Sequence, residues 1–162
     1  MEIIKIAAIY LCNELTFVVM TPHGLTNVSL LEEEKNIDGL ILALTDPMFP
    51  VRGDAAKALG KIGDPHAVEP LIGILTDDPK DLVRGLAAQA LGQIGDSRAI
   101  GPLIASVNTD LSPFARFYSA LALGEFPDDG VVVQLLEVLG GDPDNNVRIA
   151  ALASLRKQTS EM

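Results

Sequence analysis

Val51–Asp64 reads VRGDAAKALGKIGD, and 32 residues later Val83–Asp96 reads VRGLAAQALGQIGD. Two further segments fall on the same spacing, ARFYSALALGEFPD from Ala115 and VRIAALASLRKQ from Val147. The shared arginines are Arg52, Arg84, Arg116 and Arg148, and six residues before each stands an aspartate: Asp46, Asp78, Asp110 and Asp142. Two charged residues held in register through four copies define one repeated unit. A period of this length marks a stacked, quasi-one-dimensional protein in which each unit buries its apolar face on a neighbour.

Counted from the arginine, apolar or small residues recur at −1, +3, +4, +7 and +10. That is the period of an amphipathic helix, about 3.6 residues. Gly63 and Gly95, each followed by aspartate, supply glycine helix stops, and Pro127 ends the third copy by another route. After each stop comes a shorter apolar pattern: AVEPLIGIL from Ala67, AIGPLIASV from Ala99 and VVVQLLEVL from Val131. Pro70 and Pro102 stand near the start of these stretches, where a missing N–H is tolerated. A polar turn then leads to the next arginine. Each unit is therefore a helix A, a turn and an arginine-bearing helix B, both too short to be stable without stacking.

The pattern places the array at 38–158, in units 38–65, 66–97, 98–128 and 129–158. Residues 1–37 are expected to form an atypical N-terminal cap, with an acidic helix ending near Lys35, and 159–162 a tail. The FVVM stretch from Phe17 has strand propensity, so an extended segment is open there. No cap is evident at the C-terminal end, which leaves self-association through that end as an option.

The balance of 12 Lys and Arg against 22 Asp and Glu, a net charge of −10, argues against a nucleic-acid surface or docking on anionic lipid. A single cysteine, Cys12, cannot form an internal disulfide and reads as a small buried hydrophobe in a reducing compartment. The first 20 residues are apolar but are interrupted by Lys5, Asn13 and Glu14, a poor membrane span. A cytoplasmic protein is expected. His23 and His66 lack a second ligand at metal spacing, and no catalytic, metal or cofactor motif is present.

The 32-residue spacing, the Asp-x5-Arg pair, the AAxALGxIGD run and the AVEPLI and AIGPLI segments resemble short HEAT repeats of the phycobilisome-lyase type. The resemblance covers 38–158; the ankyrin and tetratricopeptide signatures are missing. It implies an all-α, right-handed α-solenoid of about four two-helix repeats, with the B helices lining the concave side. It also implies a possible activity, a bilin lyase or bilin-handling chaperone acting on a phycobiliprotein-like partner. HEAT-like hydroxylases that hold iron use repeated His-Glu pairs, and this chain has none. The fourth copy departs from the pattern at Arg156, where the others carry glycine.

Four arginines in a row could form an anion-binding stripe, but their aspartates point to structure. An aspartate in the turn before helix B accepts backbone N–H groups, and the arginine bridges to the neighbouring unit's aspartate. Function is expected instead on the outward B-helix positions +2, +5 and +9, with +1 on their flank. Leu86, Phe117, Tyr118, Leu121 and Ile149 then form an apolar strip for a protein or peptide partner, with Lys57 and Lys61 setting register. The expected function is a non-enzymatic scaffold. Superhelical curvature is the competing possibility, burying Phe117 and Ile149 between units.

Overall fold

The computed structural model of the protein describes residues 19–21 and 24–160. Cys12, His23 and the rest of the leading apolar segment lie outside the described residues, as do the last two of the tail. Strands β1 (Val19–Thr21) and β2 (Gly24–Thr26) pair antiparallel, with Met20 opposite Leu25. The strand propensity of the FVVM stretch thus appears as the first arm of a hairpin. Helix α1 (Val28–Glu33) follows, and Lys35 turns the chain at φ 51°.

Four helix pairs succeed it among the described residues: α2 (Ile37–Ala43) with α3 (Phe49–Ile62), α4 (Val68–Asp77) with α5 (Asp81–Ile94), α6 (Ile100–Thr109) with α7 (Pro113–Leu123), and α8 (Asp129–Gly141) with α9 (Asn145–Ser160). Short 3-10 turns, Pro65–Ala67 and Ser97–Ala99, lead into α4 and α6. The second member of each pair carries the arginine.

Local chemistry sets these boundaries. Asn36 Oδ1 accepts the Gly39 N–H at 2.8 Å and starts α2. Gly63 and Gly95 end α3 and α5 in the left-handed region, at φ 76° and 72°. The next aspartate caps the following turn, Asp64 on the His66 N–H and Asp96 on the Arg98 N–H, both at 2.9 Å. Helix α7 has no left-handed glycine: it stops at Leu123, and the buried Phe126 precedes the helix-breaking Pro127.

The arginine helices α3, α5, α7 and α9 lie side by side in one layer, and the shorter helices form the other. Between the layers runs one continuous core, with Leu40, Leu59, Leu71, Leu91, Leu103, Leu123 and Leu135 all fully buried. The result is an α-solenoid. The arginine layer is the more tightly spaced. A Cβ on Gly60 would lie 2.7 Å from the Ala90 Cα, and one on Gly92 would lie 2.9 Å from the Ala122 Cα. Gly73 and Gly101, on the shorter helices, meet nothing within 4 Å. No helix among the described residues is long and apolar enough to cross a membrane.

Candidate functional site

The aspartates and arginines form a ladder along one edge of the stack. Arg52 grips Asp78 with Nε at 2.6 Å and Nη2 at 2.9 Å. Arg84 holds Asp110 the same way, both bonds at 2.7 Å, and Arg116 holds Asp142 at 2.8 and 3.1 Å. The remaining Nη1 donates to the carbonyl of the unit's own aspartate: Asp46 at 2.8 Å, Asp78 at 2.9 Å and Asp110 at 2.9 Å. Each aspartate Oδ1 also accepts the N–H two residues on, from Met48, Lys80, Ser112 and Asp144. One arginine thus ties its own turn to the next unit's turn, and its fork is filled by a carboxylate of the same chain. In that state Arg52, Arg84 and Arg116 have no free edge for a ligand.

The pairing shows in the acidities. Burial pushes the Asp110 carboxyl up, but the Arg84 hydrogen bonds, the Ser112 N–H and the charges of Arg84 and Arg116 outweigh it and leave it below the ordinary range. Asp142 follows the same pattern, with burial opposed by Arg116, the Asp144 N–H and the charge of Arg148.

A groove of about 350 Å³ opens on the solvent face of the arginine layer. Gln89 and Gln93 of α5 form one wall; Tyr118 and Leu121 of α7 and the neighbouring Glu125 form another; Ala153, Ser154 and Lys157 of α9 close it. Gly92 and Ala122 make the floor, so the close approach that sets the helix spacing also sets the depth. Lys157 is ion-paired with Glu125 across the groove. The Gln89 and Gln93 amides are exposed. Ser154 Oγ is turned away, donating to the Ala120 carbonyl at 2.9 Å.

Of the expected strip, Tyr118 and Leu121 line this groove; the others sit elsewhere. Leu86 is a correction. It is only 7% exposed, its Cδ1 3.0 Å from where a Gly53 Cβ would stand, so it fills a notch in the preceding helix. Position +2 in the second and fourth units points along the stack and not outward: Ala150 is buried as well. Ile149 is 54% exposed, on the end of the array and not in the groove. Phe117 is half-buried and stacks edge-on against Tyr118 at 5.2 Å. Lys57 and Lys61 lie on α3, outside the groove, paired with Asp54 at 3.3 Å and Glu32 at 2.9 Å.

Gly85 explains the aromatic cluster. Its Cβ would fall 2.6 Å from Phe114 and 3.3 Å from Tyr118, so only glycine leaves room for both rings. The two rings meet at 4.8 Å and line a second hollow of about 410 Å³ with Pro113, Phe117, Asp144 and Asn146.

The groove residues Gln89, Gln93, Glu125 and Lys157 were outward by period but unremarkable as single residues. Their signal is pairwise: a glycine at +1 in one unit answers a bulky residue at +2 in the next, as Gly53 answers Leu86 and Gly85 answers Tyr118. That pattern turns Leu86 inward and leaves +5 and +9 as open positions, with Tyr118 at +2 of the third unit half-buried on the groove wall. Among the described residues, no group of three or more His, Cys, Asp or Glu side chains converges as a metal site.

Comparison with known proteins places the architecture. No curated protein matches the sequence significantly. Among solved structures, the chain is similar to the complex of CpcE and CpcF of phycocyanin lyase from Nostoc sp. PCC7120, at 27% identity and a TM-score of 0.67 over 83% of this chain and 58% of that one. It is equally similar to human deoxyhypusine hydroxylase, at 27% identity and a TM-score of 0.67 over 82% of this chain and 46% of that one. The chain therefore spans about half the length of these two proteins. A designed armadillo repeat protein in complex with the peptide (KR)4 shares the fold, at 18% identity and a TM-score of 0.57 over 83% of this chain and 73% of that one. The family model for HEAT repeats matches residues 37–117, half of the chain, and the protein belongs to the HEAT-repeat family.

Proposed function

We propose that the protein is a non-enzymatic scaffold that binds a protein or an extended peptide along its arginine-helix face, with Tyr118 and Leu121 as apolar anchors. The observation that carries this reading is the groove itself: an apolar wall opposite two exposed amides, Gln89 and Gln93, with neighbouring charges already paired. Amides at that spacing offer donors and acceptors to a backbone, and Tyr118 offers a rigid ring at low entropic cost. The closer spacing of the arginine helices supports reading this face as the inner side of the stack, where an extended ligand would touch several units at once.

The charges on this face are neutralised locally. Lys57 pairs with Asp54, Lys61 with Glu32 and Lys157 with Glu125. Recognition then rests on shape, apolar contact and amide hydrogen bonds, with charge acting on encounter rate.

The test is affinity capture from the native host with Tyr118→Ala/Leu121→Ala beside the unaltered protein. Both side chains are half-buried, so far-ultraviolet circular dichroism must first show the variant fully helical. A folded variant is expected to lose at least about tenfold in partner recovery, the worth of one interface anchor. Full recovery by a folded variant would remove the groove from the account.

The likeness to phycocyanin lyase favours a second reading, a bilin lyase or bilin-handling chaperone. The equal likeness to a hydroxylase shows how little the fold decides about chemistry. Titrating the purified protein into a linear tetrapyrrole separates the two readings. The scaffold reading expects the bilin absorbance to stay unchanged, and a saturable shift would favour the lyase reading.

A further inference from the structure

The head of each arginine helix meets the turn before the next one, and the three junctions are filled differently. Phe49, three residues before Arg52, lies under Lys80, four before Arg84. The Lys80 Nζ stands 5.7 Å from the ring centroid, within the range of a cation–π contact. Asp81, three before Arg84, accepts the hydroxyl of Ser112, four before Arg116, at 2.9 Å. At the third junction Phe114, two before Arg116, shares the hollow of about 410 Å³ with Asp144, four before Arg148. A ring and a carboxylate each attract a cation, and no Lys or Arg is among the residues lining this hollow.

Both attracting groups are held in place. Tyr118 is tilted against Phe114 at 4.8 Å and meets Phe117 edge-on at 5.2 Å, so the rings stand at different angles around the space. Asp144 is half-buried, and its Oδ1 caps its own helix, accepting the Asn146 N–H at 2.8 Å and the Val147 N–H at 3.3 Å. Among the described residues no Lys or Arg pairs with it, and the nearby Arg116 is committed to Asp142. The contact that Lys80 makes on Phe49 is thus prepared a second time, with a carboxylate added and the cation left out.

We infer that this hollow takes an arginine side chain of the partner's extended segment, its guanidinium lying against the Phe114 and Tyr118 rings and its edge pairing with Asp144. The inference rests on the reading that such a segment runs along the arginine-helix face. Tyr118 lines both the groove and the hollow, so a segment anchored in one passes beside the other. Two features select the occupant. A planar guanidinium stacks on a ring while its fork meets a carboxylate, two contacts that a compact ammonium does not make at once. The net charge of −10 favours a basic partner and opposes a second copy of the chain.

The test reads the ring signals of Phe114, Phe117 and Tyr118 in the full chain by nuclear magnetic resonance. The probe is the peptide acetyl-Ala-Ala-Arg-Ala-Ala-amide, beside the same peptide with lysine or with citrulline, the neutral isostere of arginine. The arginine peptide is expected to shift these signals saturably, the lysine peptide to bind more weakly, and the citrulline peptide to lose about tenfold, the worth of one charge-assisted contact. Asp144→Asn is expected to weaken the arginine peptide by the same about tenfold, and asparagine keeps the helix cap. Asp77→Asn removes an equal charge from α4 and is expected to change nothing. Unmoved ring signals at millimolar peptide, lysine or citrulline binding as tightly as arginine, or equal effects of the two aspartate exchanges would each overturn the inference. So would shifts of the same rings on concentrating the peptide-free protein that Asp144→Asn abolishes, which would assign the hollow to a basic residue of a second copy. The peptide readout is separate from partner capture. If the arginine peptide fails while Tyr118→Ala/Leu121→Ala still abolishes capture, this inference falls and the groove stands; if the peptide binds as expected while capture ignores that pair, the groove reading falls and the arginine site stands.

Discussion

Asp110→Ala is expected to lower the unfolding free energy by about 3 kcal/mol, the cost of stranding one partner of a largely buried ion pair. Asp110 is the middle rung. Its carboxylate takes both forks of Arg84 at 2.7 Å and the Ser112 N–H at 2.8 Å, so alanine removes an inter-unit bond and a turn cap together. Arg84 stays behind with its side chain only 16% exposed and its bidentate partner gone. A domain with about 5–15 kcal/mol of stability feels such a loss across its whole transition, and a urea melt measures it. The double replacement Arg84→Met/Asp110→Leu is expected to recover much of the loss, because it leaves no buried charge unpaired. If the single and double variants lose equally, the rung is not the stabilising element.

The rungs also set an acid limit. The folded Asp110 and Asp142 carboxyls lie below their ordinary range, so the folded state binds these protons less readily than the unfolded chain does. Their contribution is complete above the unfolded value, about pH 3.9, and is lost as pH falls through the lowered folded values. Urea melts from pH 7 down to pH 2 are expected to show a level plateau and then a decline below about pH 4. Asp110→Asn should flatten that decline while lowering the plateau.

Gly92→Val is expected to cost about 3 kcal/mol, through overpacking and not through lost contacts. A Cβ at this position stands 2.9 Å from both the Cα and the Cβ of Ala122, and backbone atoms cannot step aside as a flexible side-chain end would. Relief requires α5 and α7 to separate, which also widens the groove whose floor Gly92 and Ala122 form. The control is Gly73→Ala on α4, where a Cβ meets nothing within 4 Å. There the helix-interior gain over glycine, about 0.5–1 kcal/mol, should appear as a small stabilisation. Thermal melts of the two variants in opposite directions would establish the arginine layer as the tight one.

Much of this was legible in the sequence, for a physical reason. The repeat period, the Asp-x5-Arg pair and the glycine stops are local signals, and local hydrogen bonding realises them: Gly63 and Gly95 do take the left-handed turn. Repetition allowed a ladder to be read as well, since a residue's partner in the next unit is its own equivalent. What escaped was the rotation of each arginine helix about its axis. Helical period marks an apolar face but does not say where on that face the neighbouring unit lands, and Leu86 fell on the wrong side of that line. The size match of Gly53 with Leu86 and of Gly85 with Tyr118 settles the rotation, and it is visible only when positions are compared across units. Ile149 was misplaced for a related reason: it occupies an inter-unit position in a unit whose neighbour is missing among the described residues.

The central claim is that partner recognition belongs to the open face of the arginine helices and not to the arginines themselves. Hydrogen–deuterium exchange on the captured complex, compared with the free protein, tests it most directly. Backbone amides of 89–93, 118–125 and 153–157 are predicted to gain protection on binding, with α4, α6 and α8 unchanged. Protection concentrated instead on the outer helices α4, α6 and α8, with those three stretches exchanging as in the free protein, would contradict it.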